Sequence, residues 1–374
     1  MTYSYGEHGN DERYVTIMNA KWNVYDCTEH ILSDISNKKL MPVEITFERW
    51  FNHSIDTLSN CVQLQQLYFG CHEGELNKFE EHITYLDGFA KYSVFDQPIE
   101  PLSNCTQLKI LYMGDNFNQP IQALAKCTQL QELGFGRHFN HSIESLAKCT
   151  QLRKFGTGEY FNQQIDALSN CTQLETLVLG GLFNQSIEPL SNCTQLQSLT
   201  FGSSFNQSIE PLSFCTHLIY IEFGDTFNQS IKPLSNCTHL IYIEFGDTFN
   251  QSIKPLSNCT QLQALTFGHI FDRSIKPLSN CTHLQALTFG HMFDQSIKPL
   301  SNCVQLQALT FGEDFCQSIT PLSDCTQLKN LCCSWRFKNC SDIVALGKIL
   351  PDMVVNYSED YYTSMDFDDM DHGW

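Results

Sequence analysis

The sequence predicts a repeat solenoid, with a parallel β-sheet of short strands on one face and short 3₁₀ or helical turns and loops on the other. Three observations lead there. A 22-residue unit recurs in phase through most of the 374 residues. The same seven positions of that unit are apolar in copy after copy. A glycine closes the strand segment of most copies. Residues 205–226, FNQSIEPLSFCTHLIYIEFGDT, and 227–248, FNQSIKPLSNCTHLIYIEFGDT, differ at two positions only. The frame starts at Phe51, Phe95, Phe117, Phe139, Phe161, Phe183, Phe205, Phe227, Phe249, Phe271, Phe293 and Phe315. A degenerate unit, Glu73 to Val94, fills the one gap and keeps Leu86 and Phe89 in register.

Constant length is the first physical clue. Surface loops tolerate insertions, whereas a coil stacked on its like loses register when a residue is added. The apolar positions of the unit from Phe205 are Phe205, Ile209, Leu212, Cys215, Leu218, Ile221 and Phe223. One coil cannot bury enough surface to offset the entropy of ordering its backbone, so stability comes from stacking. Within the coil, Ile-x-Pro-Leu-x-x-Cys spaces apolar residues three apart with proline at the start. That pattern suits the first turn of a short helical or 3₁₀ segment. Leu196, Leu199 and Phe201 end in alternation, which marks a short strand. The following glycine, as at Gly180, Gly202, Gly224 and Gly290, calls for a positive φ or a close backbone approach.

These features divide the chain. Residues 1–50 are an N-terminal segment and capping unit, in which Ile45 and Phe47 fit the end of one coil. Residues 51–336 are thirteen repeats, with 73–94 degenerate. Residues 337–357 are a C-terminal capping unit, opened by Phe337, and 358–374 an acidic tail expected to be disordered.

The formal charge of −19 excludes the usual nucleic-acid and anionic-membrane partners, whose binding depends on Lys and Arg. No apolar run approaches 18 residues, and MTYSYGEHGNDERY lacks the look of a signal peptide. The expected location is cytoplasmic. Of 18 cysteines, twelve share one repeat position, among them Cys127, Cys193 and Cys259. They read as buried small residues rather than disulfides or metal ligands, since no Cys-x-x-Cys pair occurs. Cys332, Cys333 and Cys340 read as part of the C-terminal cap. Sequons such as Asn104-Cys-Thr and Asn184-Gln-Ser read as by-products of the repeat, their side chains serving the local backbone.

Binding is expected at positions free of packing duty. On the strand these are the sixteenth and eighteenth, pointing away from the core. The candidate protein-binding face comprises Tyr220, Glu222 and Asp225, then Tyr242, Glu244 and Asp247, with His269 and His291 at the edge of a flat Ala–Thr surface. Tyrosine is enriched in binding hot spots. The two histidines have no evident third ligand and so do not read as a metal site. At the sixth position Glu100, Glu144, Asp166, Glu188 and Glu210 give way to Lys232, Lys254, Lys276 and Lys298. Phosphate-loop, nucleophile-elbow and zinc-protease motifs are absent, so no catalytic residue, cofactor or metal is assigned and the chain is not expected to be an enzyme.

The Leu-x-x-Leu-x-Phe segment resembles the leucine-rich repeat, except that asparagine follows the first phenylalanine, as at Asn118, Asn162 and Asn184. Phe-Asn-Gln-Ser-Ile at 183–187 and Phe-Asn-Gln-Pro-Ile at 117–121 are similar to the FNIP repeat family, which occurs in social amoebae and in giant viruses of amoebae. That resemblance implies a leucine-rich-repeat-like, non-catalytic scaffold for protein partners, in the host cytoplasm if viral, with self-association allowed. It leaves two alternatives. One is a structural or assembly component of a virus particle. The other is a substrate-recognition subunit for a ubiquitin ligase, against which residues 1–50 show no F-box.

Overall fold

The computed structural model describes residues 16–18, 37, 42–47, 49–70, 93–338 and 340–358, with side chains omitted at 16–18 and 358. The expected acidic tail beyond 358, most of the N-terminal segment and residues 71–92 lie outside these. Two compact units follow one another, ending and starting at Phe227 and Asn228.

In the first unit, β1 (Thr16–Met18) pairs antiparallel with β2 (Glu44–Phe47). Parallel pairing then runs in order through β3 (Gln66–Phe69), β4 (Ile110–Tyr112), β5 (Glu132–Gly134), β6 (Lys154–Gly156), β7 (Thr176–Leu179), β8 (Ser198–Phe201) and β9 (Tyr220–Glu222). In the second, β10 (Tyr242–Glu244), β11 (Ala264–Thr266), β12 (Ala286–Thr288), β13 (Ala308–Thr310), β14 (Asn330–Ser334) and β15 (Val354–Ser358) are likewise parallel and in order. Coils cross between strands through five-residue 3₁₀ turns, most of which, such as Glu188–Asn192 and Lys254–Asn258, have proline near the start. In most coils a serine two residues upstream fixes the entry of the turn. Ser186 Oγ accepts from Glu188 N–H at 3.2 Å, and Ser252 Oγ from Lys254 N–H at 3.3 Å. The last coil replaces this turn by the helix α1 (Ser341–Ile349), held by Asp342, whose Oδ2 accepts from Ser318 Oγ at 2.7 Å.

One expectation is overturned. Gln66 pairs directly with Ile110, and Asn52 Oδ1 accepts from Asp96 N–H at 3.0 Å, so no coil built from 73–94 stands between Phe51 and Phe95. Val94 N–H instead donates to Arg49 O at 2.7 Å, as Asn116 N–H does to Ser93 O at 3.1 Å one coil later in the frame. The coil from Phe51 is thus 51–70 completed by Ser93 and Val94, with 71–92 inserted. The sequence shows why. Glu73, Asn77, Glu80 and Lys91 would occupy four of the seven buried positions, which burial without partners penalises.

The core is a set of columns, most of them made of one residue type. Phe161, Phe183 and Phe205 stack at 6.1 Å, and Phe201 lies 3.8 Å from Phe205. In the cysteine column, Cys193 Sγ–H donates to Leu168 O at 3.4 Å. These thiols are free and buried. Burial pushes Cys193, Cys215 and Cys259 up to about 12, and Cys149 up to about 11. The asparagines after the phenylalanines form a ladder. Asn184 Oδ1 accepts from the backbone N–H of Asn206 and from Gln207 Nε2, both at 3.0 Å. Asp272 fills the same role toward Asp294 and Gln295 at 3.0 and 2.9 Å. Coils touch at the glycines. A Cβ on Gly202 would sit 2.5 Å from the carbonyl carbon and oxygen of Gly180. Close approach accounts for that position. Gly70 alone of these columns' early members shows the other reason, with φ at 85°.

Three outcomes follow from these columns. Gly202→Ala loses about 1–3 kcal/mol by overpacking against a backbone that cannot move aside, read as a lower thermal midpoint. An unchanged midpoint would mean the coils are not in contact there. Asn184→Ala loses about 1–2 kcal/mol for its two orphaned donors, whereas Asn184→Asp, which copies the natural Asp272, stays near wild type. Equal loss from both would refute the acceptor role. The folded thiols titrate above the ordinary value of 9.0, so their stabilisation is complete below pH 9 and lost as pH rises toward 12. Each such thiol removes up to about 1.4 kcal/mol per pH unit in that window. The melting temperature therefore drops steeply between pH 9 and 11, and a flat profile there would contradict the buried column.

Candidate protein-binding face

The strand face is built by register. Because each strand pairs in parallel with its counterpart one coil on, residues of the sixteenth and eighteenth positions fall into rows. Side chains in a row are flanked on both sides at a strand spacing of about 4.8 Å. This corrects the expectation that the eighteenth position is free of packing. Tyr68, Tyr112, Val178, Thr200 and Glu222 are all buried there by their neighbours.

In the first unit the row opens with aromatic rings. Tyr68 and Tyr112 stack at 5.9 Å with planes 5° apart, and Tyr112 Oη donates to Glu132 Oε2 at 3.1 Å. The ring of Tyr112 lies over Gly134, where a Cβ would come within 2.4 Å of it. Lys154 Nζ reaches Glu132 Oε1 at 3.3 Å. Gly156 then leaves a notch of about 10 Å³, bordered by Tyr112, Lys154, Thr176 and Val178. That is room for one water-sized sphere at most. Further along, Tyr220 Oη donates to Glu222 Oε2 at 2.7 Å, with Glu222 only 8% exposed. Asp225 is exposed beyond the strand end.

The second unit repeats the pairing. Tyr242 Oη donates to Glu244 Oε2. Asp247 Oδ1 accepts from His269 N–H at 3.2 Å, and the His269 and His291 rings lie 5.0 Å apart. His291 Nε2 is 3.1 Å from Glu313 Oε2. Its Nδ1 is 3.3 Å from Asp314 Oδ2 but lacks hydrogen-bond geometry. Between strand ends the face is small and even, with Ala264, Ala286 and Ala308 beside Thr266, Thr288 and Thr310.

The structure therefore joins Tyr220 to Glu222, Tyr242 to Glu244, Asp247 to His269, and His269 to His291. Sequence reasoning missed the stacked Tyr68 and Tyr112, because the frame set a coil between them. It also missed Glu313 and Asp314 as partners of His291, although Glu313 shares its repeat position one coil on. Among the described residues, no group of three His, Cys, Asp or Glu could hold a metal ion, and no helix is long and apolar enough to cross a membrane.

A sequence profile described as FNIP Repeat matches residues 183–226 and 205–237. No curated protein matches the chain in sequence. Among solved structures, an internalin (inlF) from Listeria monocytogenes aligns with TM-score 0.67 at 19% identity, covering 88% of this chain and 89% of that one. The leucine-rich-repeat protein LIC12759 of Leptospira interrogans aligns at TM-score 0.47 and 12% identity, over 89% and 99% of the two chains. CroV588, described as a circular leucine-rich-repeat protein, aligns at TM-score 0.45 and 25% identity, over 78% and 50%. The internalin likeness establishes the fold and no more. Residues 183–237 thus match the FNIP repeat, and the coils have a leucine-rich-repeat-like solenoid fold.

Proposed function

We propose that the chain is a protein–protein interaction scaffold that binds a partner through its strand face. One observation carries this reading: tyrosines on that face are tied to carboxylates two residues along the same strand, Tyr220 to Glu222 and Tyr242 to Glu244. A tyrosine held by its phenol keeps a half-exposed ring in one place, so little rotamer entropy is lost on binding. Each ring also has an exposed aspartate on the turn that follows, Asp225 or Asp247. Ring face and carboxylate together suit a partner that presents a cationic side chain next to an apolar one. His269 and His291 extend the second unit's surface toward Glu313. In this role the chain needs no chemistry of its own, and repeat solenoids use their regular surfaces in this way. The particle-component and ubiquitin-ligase readings rest on the family resemblance alone and are carried no further.

The test takes each unit separately. The partner is captured from lysate of the expressing cell on the full chain, and its binding curve is measured against Tyr220→Ala and Tyr242→Ala. A hot-spot tyrosine costs about 2 kcal/mol or more, or roughly 30-fold in affinity. At least one variant is expected to fall that far with an unchanged circular dichroism spectrum. Wild-type affinity in both variants would remove the strand face from the function.

A further inference from the structure

In two runs of consecutive coils the first residue of the 3₁₀ turn carries a charge that no ion pair given for the described residues engages. In the first unit, four consecutive coils present Glu144, Asp166, Glu188 and Glu210. In the second, four consecutive coils present Lys232, Lys254, Lys276 and Lys298. All are exposed. The ion pairs of the described residues, Arg153–Glu175, Lys154–Glu132 and those of His291, engage none of them.

Both rows are set by the same local device. Ser208 Oγ accepts from Glu210 N–H at 3.3 Å and Ser274 Oγ from Lys276 N–H at 3.4 Å, and the same bond sets every member of the two rows except Asp166, which follows Gln164. The pitch is also shared. Phenylalanine rings five residues upstream stack at 6.0, 6.1 and 6.1 Å from Phe139 to Phe205, before the four acidic residues, and at 6.1 and 6.2 Å from Phe249 to Phe293, before Lys254, Lys276 and Lys298. Four like charges at that spacing lie well inside a Debye length of about 10 Å, so each row repels itself.

We infer that the lysine row of one chain receives the acidic row of a second copy. Equal number and equal pitch let every ammonium face a carboxylate, a match that a second copy of the same repeat supplies and an arbitrary polyanion does not. A second feature points the same way. Phe214 ends the turn begun by Glu210 and is 58% exposed. Other coils place asparagine there, and Asn192, Asn258 and Asn280 donate Nδ2–H to a serine carbonyl of the previous coil at 3.1–3.2 Å. Phe214 gives up that bond and sets an apolar ring beside the acidic row. The lysine row is bordered by half-buried Pro255, Pro277 and Pro299, an apolar floor on which such a ring can rest. This surface is separate from the strand face, and the inference does not depend on the function proposed for that face.

The experiment is sedimentation of the full chain with two charge-reversed variants, E188K/E210K and K254E/K276E. Wild type is expected to self-associate in about 20 mM salt and to weaken at least ~10-fold in about 300 mM salt. Each variant alone places like charge against like and stays monomeric. Their equimolar mixture brings the intact lysine row of E188K/E210K to the intact acidic row of K254E/K276E and associates again, as pairs. Phe214→Asn, which copies the residue of neighbouring coils, weakens association without unfolding. Should charge reversal unfold the chain, K254Q/K276Q carries the same test, because Gln122 already occupies this position in one coil. A wild type that is monomeric at ~100 µM in low salt, association indifferent to salt, or neutralised variants that associate like wild type would each overturn the inference. Binding of inorganic polyphosphate by a monomeric wild type would reassign the row to a polyanion.

Discussion

Everything in this chain depends on how closely one coil's backbone lies on the next. At the end of each strand the chain passes so near its predecessor that Gly180, Gly202 and Gly290 have no room for a Cβ beside the carbonyl below. That contact fixes coil length, because an added residue would lift the corner and break the strand pairing beside it. It also fixes register, so that each side chain meets the side chain of the same position one coil away. Folding then becomes a question asked position by position: whether a residue is compatible with a copy of itself at about 5 Å.

The columns are answers to that question. Phenylalanine stacks on phenylalanine. A cysteine thiol is small, apolar and able to donate to the carbonyl of the coil before, as Cys193 does. Asparagine accepts from the next coil's backbone and leaves its own backbone N–H to the coil before, so the ladder continues without end. Aspartate serves at Asp96, Asp272 and Asp294 because only the acceptor is needed. Charge is the one property that does not tolerate a copy of itself nearby. Charged residues are accordingly confined to exposed positions, or tied along their own strand as Glu222 is to Tyr220, or placed opposite an unlike neighbour as Glu132 is to Lys154.

This logic explains which parts of the structure were legible in the sequence. The columns were, since a residue that must match its neighbour leaves a period: Phe183, Ile187, Leu190 and Cys193 announce their own burial. The strand and the 3₁₀ turn were legible from the spacing of Leu196, Leu199 and Phe201 and from the proline before Leu190. The inserted segment was not. Its length equals one coil, so counting cannot distinguish an insertion from a repeat, and only the polar residues at Glu73, Asn77 and Glu80 argued against stacking. The site was legible in part. Tyr220 and Tyr242 stood out as large residues at outward positions, but the burial of Glu222 depends on neighbours above and below, which no single coil displays. The Tyr68–Tyr112 stack was hidden by the same miscounted coil.

A solenoid of this kind separates the residues that fold it from those that can recognise something else. Inward positions repeat because they must. Outward positions may differ from coil to coil, and in the first unit they do: Lys154 and Gly156, Thr176 and Val178, Ser198 and Thr200, Tyr220 and Glu222. A partner reading that stretch meets a different pair of side chains at every step, which is what specific recognition requires. Where outward positions repeat instead, as the four lysines do, the surface is a lattice with the pitch of the coil. Its natural complement is another lattice of the same pitch and opposite sign, and the first unit presents one. Varied rows and uniform rows are thus suited to different kinds of partner, and the same backbone contact that forces the core into columns makes both kinds of surface available along one chain.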